Sequence, residues 1–190
     1  MNIFVLDANP ITAANDHCDK HVVKMILESA QMLSAAHWMA WQKILKPPEL
    51  KGRGALQQWL TDNVPKEHQP PWKMTHANHP CTQWTQRAWG NYRWLSLHGQ
   101  ALCLEYTRRY GREHKSRDVH RWLYKHVPPH FETLTYNPLD TTPFALAMPD
   151  DCKVEGDAVQ SYRNYYIKNK SRMAKWAHSK TPSWWPEVGK

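Results

Sequence analysis

Residues 16–26 read Asp16-His17-Cys18-Asp19-Lys20-His21-Val22-Val23-Lys24-Met25-Ile26, a run in which carboxylates, imidazoles and amines crowd into the start of an apolar pattern. Such groups can move protons, attack electrophiles or hold phosphates, and a helix holds their geometry better than a loop does. If residues 12–44 form one helix, steps of three and four place His17, Lys20, His21, Lys24 and Glu28 along one stripe, with Asp19 at its edge. Val22, Val23, Met25, Ile26, Met32 and Leu33 cover the rest of that surface. One helix would thus show both core and chemistry.

A second reactive stretch is Met74-Thr75-His76-Ala77-Asn78-His79-Pro80-Cys81. Pro80 suits the first turn of a helix, so His76, Asn78 and His79 would project from a loop at a helix N-terminus, where anions and base edges find donors. The plainer alternative makes Asn78 the helix cap and His79 a bystander. His17 and His21 also have the spacing of a metal-ligand pair, which Asp19, His76 or His79 would complete. The glutamate of the zinc-protease pattern is missing beside His17, and no third ligand is fixed, so no metal site is assigned.

The elements that must position these groups are legible in outline. Ile3 to Leu6 is a β-prone apolar run closed by Asp7-Ala8-Asn9-Pro10, a short buried strand or extended segment. Either Asn9 with Pro10, or Thr12, caps the first long helix, which runs to about Leu45 before Pro47 and Pro48 stop it. Residues 46–73 form a proline-rich irregular excursion with at most one short helix, at Leu56 to Leu60. A helix opening at Pro80 runs through Tyr92 and Trp94 to Tyr106, and Gly111 ends it. A further helix spans Asp118 to Lys125. Residues 130–157 read as an ordered loop over the core, anchored by Phe144 and Met148. Asp157 caps a last helical region reaching Trp176, and Trp184 and Trp185 clamp the tail onto the body. The expected architecture is mainly α: one helical bundle over residues 1–190, with a short N-terminal strand or extended segment and long ordered loops.

Composition narrows the function. Lys and Arg number 25 against 17 acidic residues, a formal charge of +8, and 11 Trp with 8 Tyr supply flat rings; cations that meet phosphates and rings that stack on bases suit nucleic acid. Cys18, Cys81, Cys103 and Cys152 are too scattered for a zinc ribbon or a disulfide framework and read as reduced thiols. No signal-peptide pattern and no apolar run near the ~20 residues of a membrane span is visible, so a cytoplasmic monomer with no membrane contact and no obligate protein partner is expected.

With these residues in view, the chain resembles a family of small proteins of phage and environmental bacterial genomes. The resemblance rests on Cys18 to Glu28, Thr75 to Cys81, Asn91 to Leu95, Pro143 to Asp150 and Tyr162 to Tyr166. That family resembles the prokaryotic DNA glycosylases of antiphage defence, which excise bulky modified bases such as glucosylated hydroxymethylcytosine and leave abasic sites. The resemblance implies double-stranded DNA with a flipped modified base as partner, and no cofactor.

Base loss leaves positive charge on the deoxyribose, and a carboxylate can both stabilise that charge and direct water to it. Asp19 is the first candidate, with Asp7 and Asp16 in reserve. His17 and His21 would tune it, and Asn78 would join the catalytic set. His76, His79, Tyr92, Trp94 and Phe144 would bind the extruded base, while Lys20, Lys24, Arg93, Arg112, Lys115 and Arg163 would hold the DNA backbone. Lys20 or Lys24 could instead act as a Schiff-base nucleophile. Two alternatives stay open: a non-catalytic basic nucleic-acid-binding protein whose His/Asp cluster is a buried polar network, and a His/Asp metal-dependent nucleic-acid hydrolase.

Overall fold

The computed structural model describes residues 1–52, 54–131 and 141–186. Its helices are α1 (Pro10–Asp16), α2 (Asp19–Leu45), α3 (Ala55–Asn63), α4 (Pro80–Arg87), α5 (Trp89–Tyr110), α6 (Arg117–Lys125) and α7 (Ala158–Tyr165), the last continued by a π-helical turn over Tyr166–Lys170. Among the described residues no sheet forms, so the mainly α expectation holds. The two long helices α2 and α5 pack on each other, α1 lies on α5, α4 on both, and α6 closes against α5 and α2. Met25, Ile26, Leu33, Leu95 and Leu102 fill the interface, each worth roughly 1.5–3 kcal/mol of burial.

Ile3 to Leu6 is buried, as an irregular segment rather than a strand. Among the described residues no neighbouring strand offers a ladder, and Asn2 takes over part of that work: its Oδ1 accepts the main-chain N–H groups of Ile3 (2.8 Å) and Phe4 (3.2 Å), and its Nδ2 donates to the Ala147 carbonyl (2.8 Å). Phe4 adopts φ +36°, and the Leu6 N–H folds back onto its carbonyl at 2.8 Å.

The first long helix is broken in two, which corrects the continuous helix expected over residues 12–44. Asn9 caps α1 through Ile11 and Thr12, with Pro10 in the first turn. The chain then extends at His17 and Cys18 before α2 begins at Asp19. The cause is Arg109 on α5, whose side chain is fully buried: it donates to the carbonyls of Asn15 and His17, both at 2.9 Å, to Asp19 Oδ1 at 2.9 Å, and to Glu105 Oε1 at 2.6 Å. These bonds satisfy carbonyls that a helix end leaves without partners. The second helix also divides, at extended Ala88, where Asn91 Nδ2 takes the Trp84 carbonyl at 2.7 Å.

Gly111 ends α5 in the left-handed region at φ +67°, and Asp157 caps α7 through the Gln160 N–H, as the sequence suggested. The last helix stops at Lys170, short of Trp176, because the chain turns to cap the α1–α2 break. The Lys175 carbonyl accepts the Asp19 N–H at 2.8 Å, and Trp176 Nε1 donates to the Asp16 carbonyl at 3.0 Å. Trp184 Nε1 reaches Asp16 Oδ2 at 2.7 Å, so the tail is clamped as expected. The 46–73 excursion carries a longer helix than read from the sequence; Leu60 and Val64 pack on Trp38 in a small second core, and Trp38 Nε1 holds the Trp72 carbonyl at 2.8 Å. Of the loop read over residues 130–157, residues 132–140 lie outside those described. Among the described residues no helix is long and apolar enough to cross a membrane.

Candidate active site

The cluster that opens the sequence is an interior junction. His17 is fully buried, its Nδ1 2.6 Å from the Ala13 carbonyl and its ring 5.1 Å from that of His98. Burial drives its pKa well below the ordinary histidine value, with His98 and His21 adding to the effect. His21 bonds to the Tyr166 hydroxyl, and burial, then Lys170 and Lys24, bring its pKa down to about 3. Both imidazoles are neutral at pH 7. The carboxylate of Asp19 is 14% exposed, and both its oxygens are engaged: Oδ1 by Arg109, Oδ2 by the Ala177 N–H at 2.7 Å. The His17 and His21 rings lie 6.1 Å apart, and among the described residues no group of three or more His, Cys, Asp or Glu is arranged to hold a metal ion.

A different carboxylate lies one residue from the lining of a groove. Glu28, 7% exposed on α2, accepts the main-chain N–H of Asn2 through Oε2 at 3.0 Å and pairs through Oε1 with Lys24 Nζ at 3.1 Å. The amino group of Met1 stands 3.9 Å from Oε2. His79 is within electrostatic reach: burial lowers its pKa, the amino terminus and His76 lower it further, and Glu28 opposes them. Beside Glu28 on α2, Leu27 and Gln31 line an open groove of about 390 Å³, whose other wall is Pro71, Trp72, Lys73 and Thr75. The Trp38 bond to Trp72 fixes that wall.

Other residues singled out by the sequence are placed as follows. His79, not Asn78, caps α4, its Nδ1 accepting the Cys81 N–H at 3.2 Å; Asn78 is exposed, and His76 is exposed with φ +50°. Tyr92 and Trp94 are core residues, bonded to the Leu123 and Ala8 carbonyls, and half-buried Phe144 packs on Trp84 and Trp94 at 5.2 Å. Lys20 and Lys24 are exposed on α2. Arg93 lies over the Tyr124 ring at 4.3 Å, Arg112 donates to the Tyr106 hydroxyl, and exposed Lys115 follows α5. Arg163 donates to the Leu6 carbonyl at 2.9 Å and faces Asp7 at 3.7 Å. Burial pushes the Cys81 thiol up to about 11, which leaves it protonated and unreactive beside the site.

Glu28 was visible only as one member of the helical stripe. Its distinguishing partners, Met1 and Asn2, are 26 or more residues away in sequence, and no local spacing announces a contact that tertiary packing creates. Chemically the arrangement offers a largely buried carboxylate whose neighbours on α2 line a groove and which is paired with Lys24. It can stabilise developing positive charge and take a proton from water.

A family model described as pyrimidine dimer DNA glycosylase matches residues 1–118, a span that contains Glu28, the groove beside it and the His76–His79 loop. No curated protein and no solved structure matches the chain.

Proposed function

The chain belongs to the pyrimidine dimer DNA glycosylase family and is therefore a DNA-binding hydrolase of the N-glycosidic bond; from that premise we propose that Glu28 drives base release and that the substrate is a modified pyrimidine flipped from double-stranded DNA. One observation carries this reading: Glu28 is a largely buried carboxylate whose neighbouring side chains open into a groove. As the base departs with the bonding electron pair, positive charge spreads over C1′ and the ring oxygen, and the carboxylate stabilises it. Water then bonds to C1′ and gives its proton to Glu28, while the released base is protonated from solvent. Lys20 and Lys24 on α2 and Lys73 on the groove wall hold the flanking phosphates. Asp19 is instead the anchor that joins α1, α2, α5 and the tail.

The groove is open rather than enclosed, which leaves room for a substituent on the pyrimidine ring. That supports a bulky 5-substituted cytosine, such as the glucosylated hydroxymethylcytosine of phage DNA, and an antiphage role of the kind the sequence resemblance implies. Trp72, Leu27 and Gln31 supply the ring and edge contacts for the extruded base.

The amino group of Met1, 3.9 Å from Glu28, favours a second reading in which nitrogen attacks C1′ in place of water. Displacement of the base by an amine, with ring opening, gives an imine that borohydride reduces to a stable protein–DNA adduct.

Incubation with glucosylated, unmodified and ultraviolet-irradiated DNA, scored for free base and abasic sites with and without borohydride, tests these statements. Base release confined to glucosylated DNA, with no trapped adduct, is the expected result. Abasic sites formed in irradiated DNA alone contradict the substrate assignment, and an adduct with the α-amino nitrogen selects the amine mechanism.

A further inference from the structure

A second groove shares no lining residue with the groove beside Glu28. Its floor is a stripe of α5 on which half-buried Leu97, buried Ala101 and exposed Leu104 and Arg108 recur at helical spacing, and its walls are α1 and α6. It encloses about 700 Å³ and is lined mainly by apolar surface. Three large apolar side chains stand exposed in it: Leu104 at 62%, Ile11 at 55% and Tyr124 at 39%. Nothing in the catalytic account uses them. Exposed apolar side chains gathered in one groove mark a binding surface.

The rim carries the opposite information. Arg108, Arg121 and Lys125 line the groove, and Arg93 lies across the Tyr124 ring. The lining carboxylate Glu105 is already held by Arg108 and Arg109. Arg121 also pairs with Asp118 on its own helix, so the rim presents a cationic but not a bare edge.

We propose that this groove docks an acidic amphipathic helix of a partner protein. The stripe from Leu97 to Arg108 extends over roughly 16 Å at 1.5 Å per residue, the length of about three helical turns. A helix laid between α1 and α6 would set apolar residues at three- and four-residue steps onto Leu97, Ala101 and Leu104, with carboxylates on its flanks meeting the arginines and Lys125. Nucleic acid fits less well, since an aliphatic floor gives phosphates no donors. A second copy of this chain fits poorly too, because each copy carries a formal +8.

Fluorescence anisotropy on the full chain tests the proposal with three labelled probes. They are a peptide of about 14 residues with leucines at helical spacing flanked by glutamates, the same peptide with lysines for glutamates, and a short DNA duplex. The acidic peptide is expected to bind, to weaken as salt is raised, and to lose at least about tenfold in affinity in Leu104→Glu and in Ile11→Glu. Both positions are solvent-exposed, and base release by both variants should equal that of the wild type. Failure of the acidic peptide to bind, or equal binding of the lysine peptide, overturns the proposal. So does a tenfold loss of duplex affinity in both variants, which marks a nucleic-acid surface, or a wild-type dimer in ultracentrifugation that both variants dissociate.

Discussion

Two carboxylates on α2, nine residues apart, carry different burdens, and the difference lies in their partners. Asp19 joins fully buried Arg109, and that pair holds the α1–α2 junction. Arg109→Ala would leave Asp19 without its cationic partner, leave Glu105 to Arg108 alone and free the carbonyls of Asn15 and His17; chemical denaturation should report a loss of about 3–5 kcal/mol. Glu28 has Lys24 on its own helix, and Lys24 is exposed enough to be borrowed by a phosphate. Lys24→Ala is expected to lower DNA affinity and to reduce the slope of log K against log salt by about 0.9, measured by duplex titration. The sequence placed Glu28 on the helical stripe and made Asp19 the first candidate, because adjacent histidines are a visible signal and a distant chain segment is not. Asp19 is surrounded by ionisable neighbours as a consequence of its role in the junction.

Among the elements, propensity and punctuation located most helices and missed their interruptions. Pro10, Gly111 and Asp157 act locally and were readable; the breaks at His17–Cys18 and Ala88 depend on Arg109 and Asn91, which reach them from elsewhere in the fold. Gly99 shows the same dependence. A Cβ at this position would sit 2.2 Å from His120 Cε1, and His120 is pinned between α2 and α5 by its 2.8 Å contact with the Ile26 carbonyl. In an exposed helix Gly→Ala would gain about 1 kcal/mol, whereas here the displaced ring outweighs the gain. Gly99→Ala should therefore lower stability by about 1–3 kcal/mol, as read from the denaturation midpoint. Of the strand or extended segment expected at Ile3–Leu6, the burial held and the strand did not form, because among the described residues there is no strand to pair with it.

Across the whole molecule, an unusual number of imidazoles are interior. Burial lowers the pKa of His98 and His120 to about 4, of His21 and His37 to about 3, and of His17 well below its ordinary value. The unfolded chain titrates these groups near 6.5, so below that pH it takes up protons that the folded state refuses. Stability is flat from this source above about pH 6.5 and falls as pH drops toward 4, by roughly 1.4 kcal/mol per pH unit for each histidine. Thermal melts between pH 7.5 and 4.5 should show a steep loss of Tm beginning near 6.5; a flat profile would mean that the cluster is hydrated or charged in the fold. The positive charge and ring content that suggested nucleic acid were read correctly, although many of the rings, Trp84, Tyr92 and Trp94 among them, serve the core. The central claim, that Glu28 performs the chemistry and Asp19 the architecture, is tested most directly by single-turnover base release from modified duplex DNA. Glu28→Gln should bind the duplex like the wild type and release base about 10³-fold more slowly, while folded Asp19→Asn stays within about tenfold of the wild-type rate. Near-wild-type release by Glu28→Gln, with collapse of the rate in folded Asp19→Asn, would contradict the account.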